Sequence, residues 1–96
     1  MIADEQRVHV YARALDHFGE ENQLVVALEE LSECQKEICK TLRGYCDVNH
    51  LSEEIADSLI MLEQVIYIFG LDEMVDQQVD RKILRLEDRI SGRAVR

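Results

Sequence analysis

The sequence has no proline and no tryptophan, only four glycines, two phenylalanines and three tyrosines. Such scarcity of turn-formers excludes a collagen-like or loop-rich chain, and the lack of sustained β-branched runs argues against sheets. Nowhere do the roughly 18 consecutive apolar residues of a membrane span occur. The opening Met1-Ile2-Ala3-Asp4-Glu5 lacks a basic segment leading into an apolar one, so neither secretion nor a membrane partner is expected, and the expected compartment is the cytoplasm. Cys34, Cys39 and Cys46 are odd in number and lack CxxC spacing. They fit a reducing compartment better than a disulfide framework or a zinc knuckle.

What is present points to helices. Of 96 residues, 47% are hydrophobic, which suits one globular domain spanning 1–96. At this size a lone core is thin, so association with further copies of the chain is expected. With a net charge of −9 a nucleic-acid backbone is not the expected partner, because binding it needs a basic surface. The charge is also unevenly placed. Gly44 to Asp80 holds nine acidic residues and no Lys or Arg, whereas Arg81 to Arg96 holds six of the eleven basic ones. The first stretch suits metal cations and the second suits anionic phosphates.

Periodicity predicts four helices. The first covers about Asp4 to Phe18, with Val8, Tyr11, Leu15 and Phe18 at helical spacing before Gly19. A second runs from about Glu21 to Arg43, with Leu24, Leu28, Leu31, Ile38 and Leu42 on one face and Gly44 as the stop. Tyr45 to His50 reads as a loop, with Asn49 or Ser52 capping a third helix that ends at Gly70. Asp72 is expected to cap a fourth, to about Ile90, with Val75, Val79, Ile83, Leu86 and Ile90 inward. The short connections favour an all-α, antiparallel four-helix bundle.

Two helices bring acids together. On the third, Leu51, Ile55, Leu59, Leu62, Ile66 and Phe69 form one apolar stripe and Met61, Val65 and Ile68 another, which Glu54 and Asp57 begin. Both acids are thus expected to face packed protein, where an unpaired carboxylate costs several kcal/mol and calls for a nearby cation. On the second helix Val26, Glu30, Glu33 and Glu37 share a stripe away from the leucine face. Four carboxylates, Glu30, Glu33, Glu54 and Asp57, can therefore converge as metal ligands. An all-oxygen set suits Mg²⁺ or Mn²⁺, which keep waters and bridge to substrate phosphates. A di-iron site of the ferritin-like kind would need Glu-x-x-His pairs, and both pairs here end in a carboxylate.

Glu29-Glu30-Leu31-Ser32-Glu33, then twenty residues, then Glu54-Ile55-Ala56-Asp57, resembles the ExxE…ExxD signature of MazG-type all-α NTP pyrophosphohydrolases. The resemblance extends from about Gln23 to Arg89. It takes in Gln23-Leu24 before the first pair, Lys36 to Lys40 after it, the apolar run after Asp57 and the Lys82-to-Arg85 element. It implies hydrolysis of a nucleoside triphosphate between the α and β phosphates, with Mg²⁺ held by the four acids. It also implies a homodimer or dimer of dimers. Chemically, Mg²⁺ would offset triphosphate charge, and Glu30 or Glu33, whichever is not saturated by metal, would take the proton of the attacking water. Lys82 and Arg85, with Arg89, sit at i, i+3 and i+7, placed to contact phosphate oxygens if that flank borders the acidic cluster, the alternative being salt bridges to Asp76, Glu87 or Asp88 on a solvated face. His9, His17 and His50 share no ligand spacing and are expected at the surface or in caps, and Tyr45 and Tyr67 are the aromatics suited to stacking on a base. The competing reading is a non-catalytic helical interaction protein that keeps the fold.

Overall fold

The computed structural model describes residues 4–92. They form four helices and, among the described residues, no strand: α1 Glu5–Phe18, α2 Glu20–Leu42, α3 Val48–Phe69 and α4 Asp72–Ile90. None of these helices is long and apolar enough to cross a membrane.

The helix ends follow local chemistry. The Asp4 carboxylate accepts hydrogen bonds from the Gln6 and Arg7 backbone N–H groups, satisfying two donors that the first turn of α1 leaves unpaired. Gly19 alone joins α1 to α2, at φ +88°, a conformation that L side chains resist. The expected loop through His50 is too long. Asp47 caps α3 by accepting from the Asn49 and His50 N–H groups, so helix begins at Val48. Asp72 does not cap α4 either; it is the first helical residue, beside Glu73, where carboxylates favour the positive end of the helix dipole.

The principal packing is α2 against α3, with α1 lying across both. Three contacts fix the antiparallel register. Gln23 Nε2 donates to Gln64 Oε1 at 2.6 Å, Ser58 Oγ to the Glu30 carbonyl at 3.2 Å, and His50 Nδ1 approaches Glu37 Oε1 at 3.1 Å. They recur at about two-turn steps along each helix. Between them Ala27 and Ser58 are buried small residues, which lets the backbones approach.

This arrangement reverses the expected orientation of the apolar faces. The buried residues are as often polar (Gln23, Glu37, Ser58, Gln64) as apolar (Tyr11, Ala27, Met61, Ile66). Leu28 is 70% exposed and Leu42 82%; Ile55, Leu59, Leu62 and Phe69 of α3 are exposed too. On α4, expected to turn its stripe inward, no residue is buried, and this helix meets only α3. The reason is geometric. One helix pair buries one stripe from each member, and here the small, hydrogen-bonding stripe takes that place.

α1 is held by a polar pair at its inner face. Tyr11 is buried, and its hydroxyl donates to Glu63 Oε1 at 2.5 Å while Arg7 Nη1 pairs with Glu63 Oε2 at 3.2 Å. Burial first, then the hydrogen bond and charge of Glu63, push the Tyr11 hydroxyl up from 10.0 to about 12. A raised acid contributes stability that is fully present below the unfolded value and is lost as pH rises through the folded one. Tyr11→Phe should cost about 1 kcal/mol at neutral pH and should remove a loss of stability that the wild type shows between pH 10 and about 12. Chemical denaturation across that range checks both. Identical pH profiles for the two proteins would discard the assignment.

Candidate metal centre

The acids that come together lie midway along the α2–α3 pair. Glu30, Glu54 and Asp57 each offer a carboxylate oxygen, and the three atoms lie within 4.8 Å of one another. Opposite ligands of a cation bound at about 2.1 Å are about 4.2 Å apart, so a small side-chain movement would let all three hold one. Glu30 and Glu54 are half-buried, whereas Asp57 is exposed. The expectation that Asp57 faces packed protein is therefore corrected. Glu54, one turn earlier, is the sequestered member, because helical rotation carries Asp57 about 60° away from it.

Two features show an electrostatic deficit at this place. The Glu54 Oε2 atom is buried with no hydrogen-bond partner, a situation that costs about 1–3 kcal/mol. The Glu30 carboxyl is pushed above the ordinary value of 4.5, first by desolvation and then by the charges of Asp57 and Glu54. A hard divalent cation relieves both, and oxygen donors are what it takes. The residues present thus fit such an ion.

Glu33, the fourth acid expected in the set, is exposed and stands outside the three-residue group. Its stripe-mate Glu37 is the buried one, its side chain 4% exposed and paired with Lys40 Nζ at 3.2 Å. At 100° per residue Glu37 lies about 20° from Glu30 around α2, and Glu33 about 60°. His50, assigned no chemistry from its spacing, bridges the two helices: Nδ1 is 3.1 Å from Glu37 Oε1 and Nε2 is 3.3 Å from Glu54 Oε1. The ring thus stands between the two carboxylates, and its Nε2 contact is to the Glu54 oxygen that is not the orphaned one. The i, i+4 spacing of His50 and Glu54 was the available signal.

Comparison with known protein families, with curated proteins and with solved structures finds no match.

The other expected residues lie elsewhere. Lys82, Arg85 and Arg89 are exposed on α4. Tyr45 is exposed in the connection before α3, and Tyr67 is half-buried in the last turns of that helix. A groove of about 470 Å³ between α1 and α3, with Val10, Tyr11, Ala56, Leu59 and Ile60 in its walls, shares no residue with the acid cluster.

Proposed function

We propose that this chain is a Mg²⁺- or Mn²⁺-dependent nucleoside triphosphate pyrophosphohydrolase, converting an NTP or dNTP to a monophosphate and pyrophosphate. The observation that carries the reading is the convergence of Glu30, Glu54 and Asp57 around a buried carboxylate oxygen without a partner. A purely structural acid cluster has no reason to keep that oxygen unsatisfied at a cost in stability. The ExxE…ExxD pattern, which contains these three residues together with Glu33, supports the same chemistry.

In this reading Glu30, Glu54 and Asp57 hold the cation, and His50 and Glu37 orient Glu54 from behind. When bound, the ion offsets the charge of the triphosphate and of the departing pyrophosphate. Glu33, one turn from Glu30 and outside the coordinating group, is free to accept the proton of the attacking water. Lys82 and Arg85 are the cations proposed for the phosphate oxygens.

A screen of canonical and damaged NTPs and dNTPs with Mg²⁺ or Mn²⁺, detecting pyrophosphate, tests the proposal. Metal-dependent release from at least one nucleotide, lost in Glu33→Gln, is the expected result. Absence of release from the whole panel by a folded, metal-binding protein would instead favour a non-catalytic interaction protein, a reading that the exposed apolar faces of α2, α3 and α4 support.

A further inference from the structure

The two carboxylate oxygens of Glu54 stand in different surroundings. Oε1 is 3.3 Å from His50 Nε2, whereas Oε2 is buried and has no hydrogen-bond partner. The carboxylate is thus engaged at one end and open at the other.

The ring that engages it is itself held twice. The His50 backbone N–H donates to the Asp47 cap at 3.1 Å, which fixes the residue in the first turn of α3, and its Nδ1 lies 3.1 Å from Glu37 Oε1. Glu37 is a firm post. Its side chain is only 4% exposed, and Lys40 Nζ, 3.2 Å from the same oxygen, offsets its charge. Glu37 belongs to α2 and Glu54 to α3, so the ring ties the Glu54 carboxylate to the partner helix and resists its rotation.

That hold bears on which ion fits. A carboxylate grips an ion with both oxygens only when both turn toward it. Ca²⁺ takes six to eight oxygens at about 2.3–2.6 Å and often grips a carboxylate in this way, whereas Mg²⁺ demands an octahedron at about 2.0–2.1 Å and keeps several waters. Mn²⁺ shares the octahedral preference. With Oε1 engaged by the ring, Glu54 presents Oε2 alone. Glu30, Glu54 and Asp57 then supply one oxygen each, half of an octahedron, and water completes it.

We infer that His50, anchored on Glu37, selects the ion: by engaging Oε1 it confines Glu54 to a single ligating oxygen and makes the site prefer Mg²⁺ and Mn²⁺ over Ca²⁺. His50 and Glu37 are positioning residues, acting through Glu54. The inference rests on the cation site of the proposed function and is read by binding of the metal alone, not by turnover.

Isothermal titration calorimetry of the full chain with MnCl₂ and with CaCl₂, without nucleotide, tests it. The wild type is expected to bind Mn²⁺ the more tightly. His50→Ala, which releases Oε1, should lose roughly tenfold in Mn²⁺ affinity and none in Ca²⁺ affinity, so that the preference falls by the same factor. His50→Gln, whose side-chain amide can still donate to Oε1, should keep the preference to within about threefold of wild type. Adding Glu37→Gln to His50→Ala should change neither affinity, because Glu37 acts through the ring. The His50 side chain is 45% exposed, so its substitution leaves the fold intact, which circular dichroism verifies.

A His50→Ala protein that keeps the wild-type preference overturns the inference and leaves the cation site standing. So does a wild type that binds Ca²⁺ as tightly as Mn²⁺. Further loss on adding Glu37→Gln removes Glu37 from the arrangement. A wild type that binds neither ion overturns the site and the inference together. A preference for Mn²⁺ that His50→Ala erases, in a protein that releases no pyrophosphate, upholds the inference and overturns only the pyrophosphohydrolase reading.

Discussion

Glu54→Gln is expected to abolish pyrophosphate release and, in the metal-free protein, to raise the melting temperature. The two effects share one cause. Glu54 presents a buried oxygen with no hydrogen-bond partner to a space it shares with Glu30 and Asp57, so without a cation its charge is a burden. An amide of the same shape removes the repulsion and brings an N–H₂ group that can donate to the neighbouring carboxylates. About 1 kcal/mol of added stability follows, which in a domain of this size corresponds to roughly 4–8 °C. The same amide is a poor ligand for Mg²⁺. Activity and stability should therefore move in opposite directions, a pattern expected where a site holds strain for function. Thermal melts in EDTA alongside turnover assays measure both halves. A variant with wild-type turnover would remove Glu54 from the site, and one with lower metal-free stability would show that its carboxylate has a structural role.

Mg²⁺ or Mn²⁺ should raise the melting temperature of the wild type strongly and that of Glu54→Gln much less. A ligand binding only the folded state adds about 2.7 kcal/mol at a hundredfold excess over its dissociation constant, or roughly 10–20 °C here. Glu30 makes the effect pH-dependent. Its folded, metal-free carboxyl lies above 4.5 because of desolvation and its acidic neighbours, so the folded state retains a proton that the unfolded chain has already released. Stability present below pH 4.5 is accordingly lost as pH rises through the folded value. Metal binding, which needs the ionised carboxylate, should reverse that loss. Melting curves collected from acidic to neutral pH, with metal and with EDTA, should diverge as pH rises. Curves that coincide at millimolar metal would mean that the acids hold no ion.

The helices were legible in the sequence because their punctuation is local. Gly19, Gly44 and Gly70 sit where the apolar periodicity breaks, and all three adopt positive φ. The start of α3 is not legible in the sequence because Asp47, Asn49 and Ser52 are all capping residues, and only the backbone decides which side chain caps the helix; Asp47 does, accepting from the Asn49 and His50 N–H groups. That displacement also hid His50, which lies on the helix and not in a loop. The acid cluster was legible from i, i+3 spacing, but stripe membership is too coarse to separate Glu33 from Glu37. The structure separates them, with Glu37 inward and Glu33 out. Least legible were the apolar faces. A pattern such as Leu24, Leu28 and Leu31, or Ile83, Leu86 and Ile90, tells which face avoids water and not which element covers it. In this chain α2 and α3 meet through Gln23, Ala27, Ser58 and Gln64, while Leu24 and Leu31 are only half-buried and Leu28, Ile83, Leu86 and Ile90 are left exposed.

The product distribution tests the central claim most directly. ³¹P NMR of the purified protein with its best nucleotide triphosphate and Mg²⁺ should show monophosphate and pyrophosphate rising together in equal amounts, with no diphosphate intermediate and no reaction in EDTA. Diphosphate and inorganic phosphate as the first products, or cleavage that continues without divalent metal, would contradict the account.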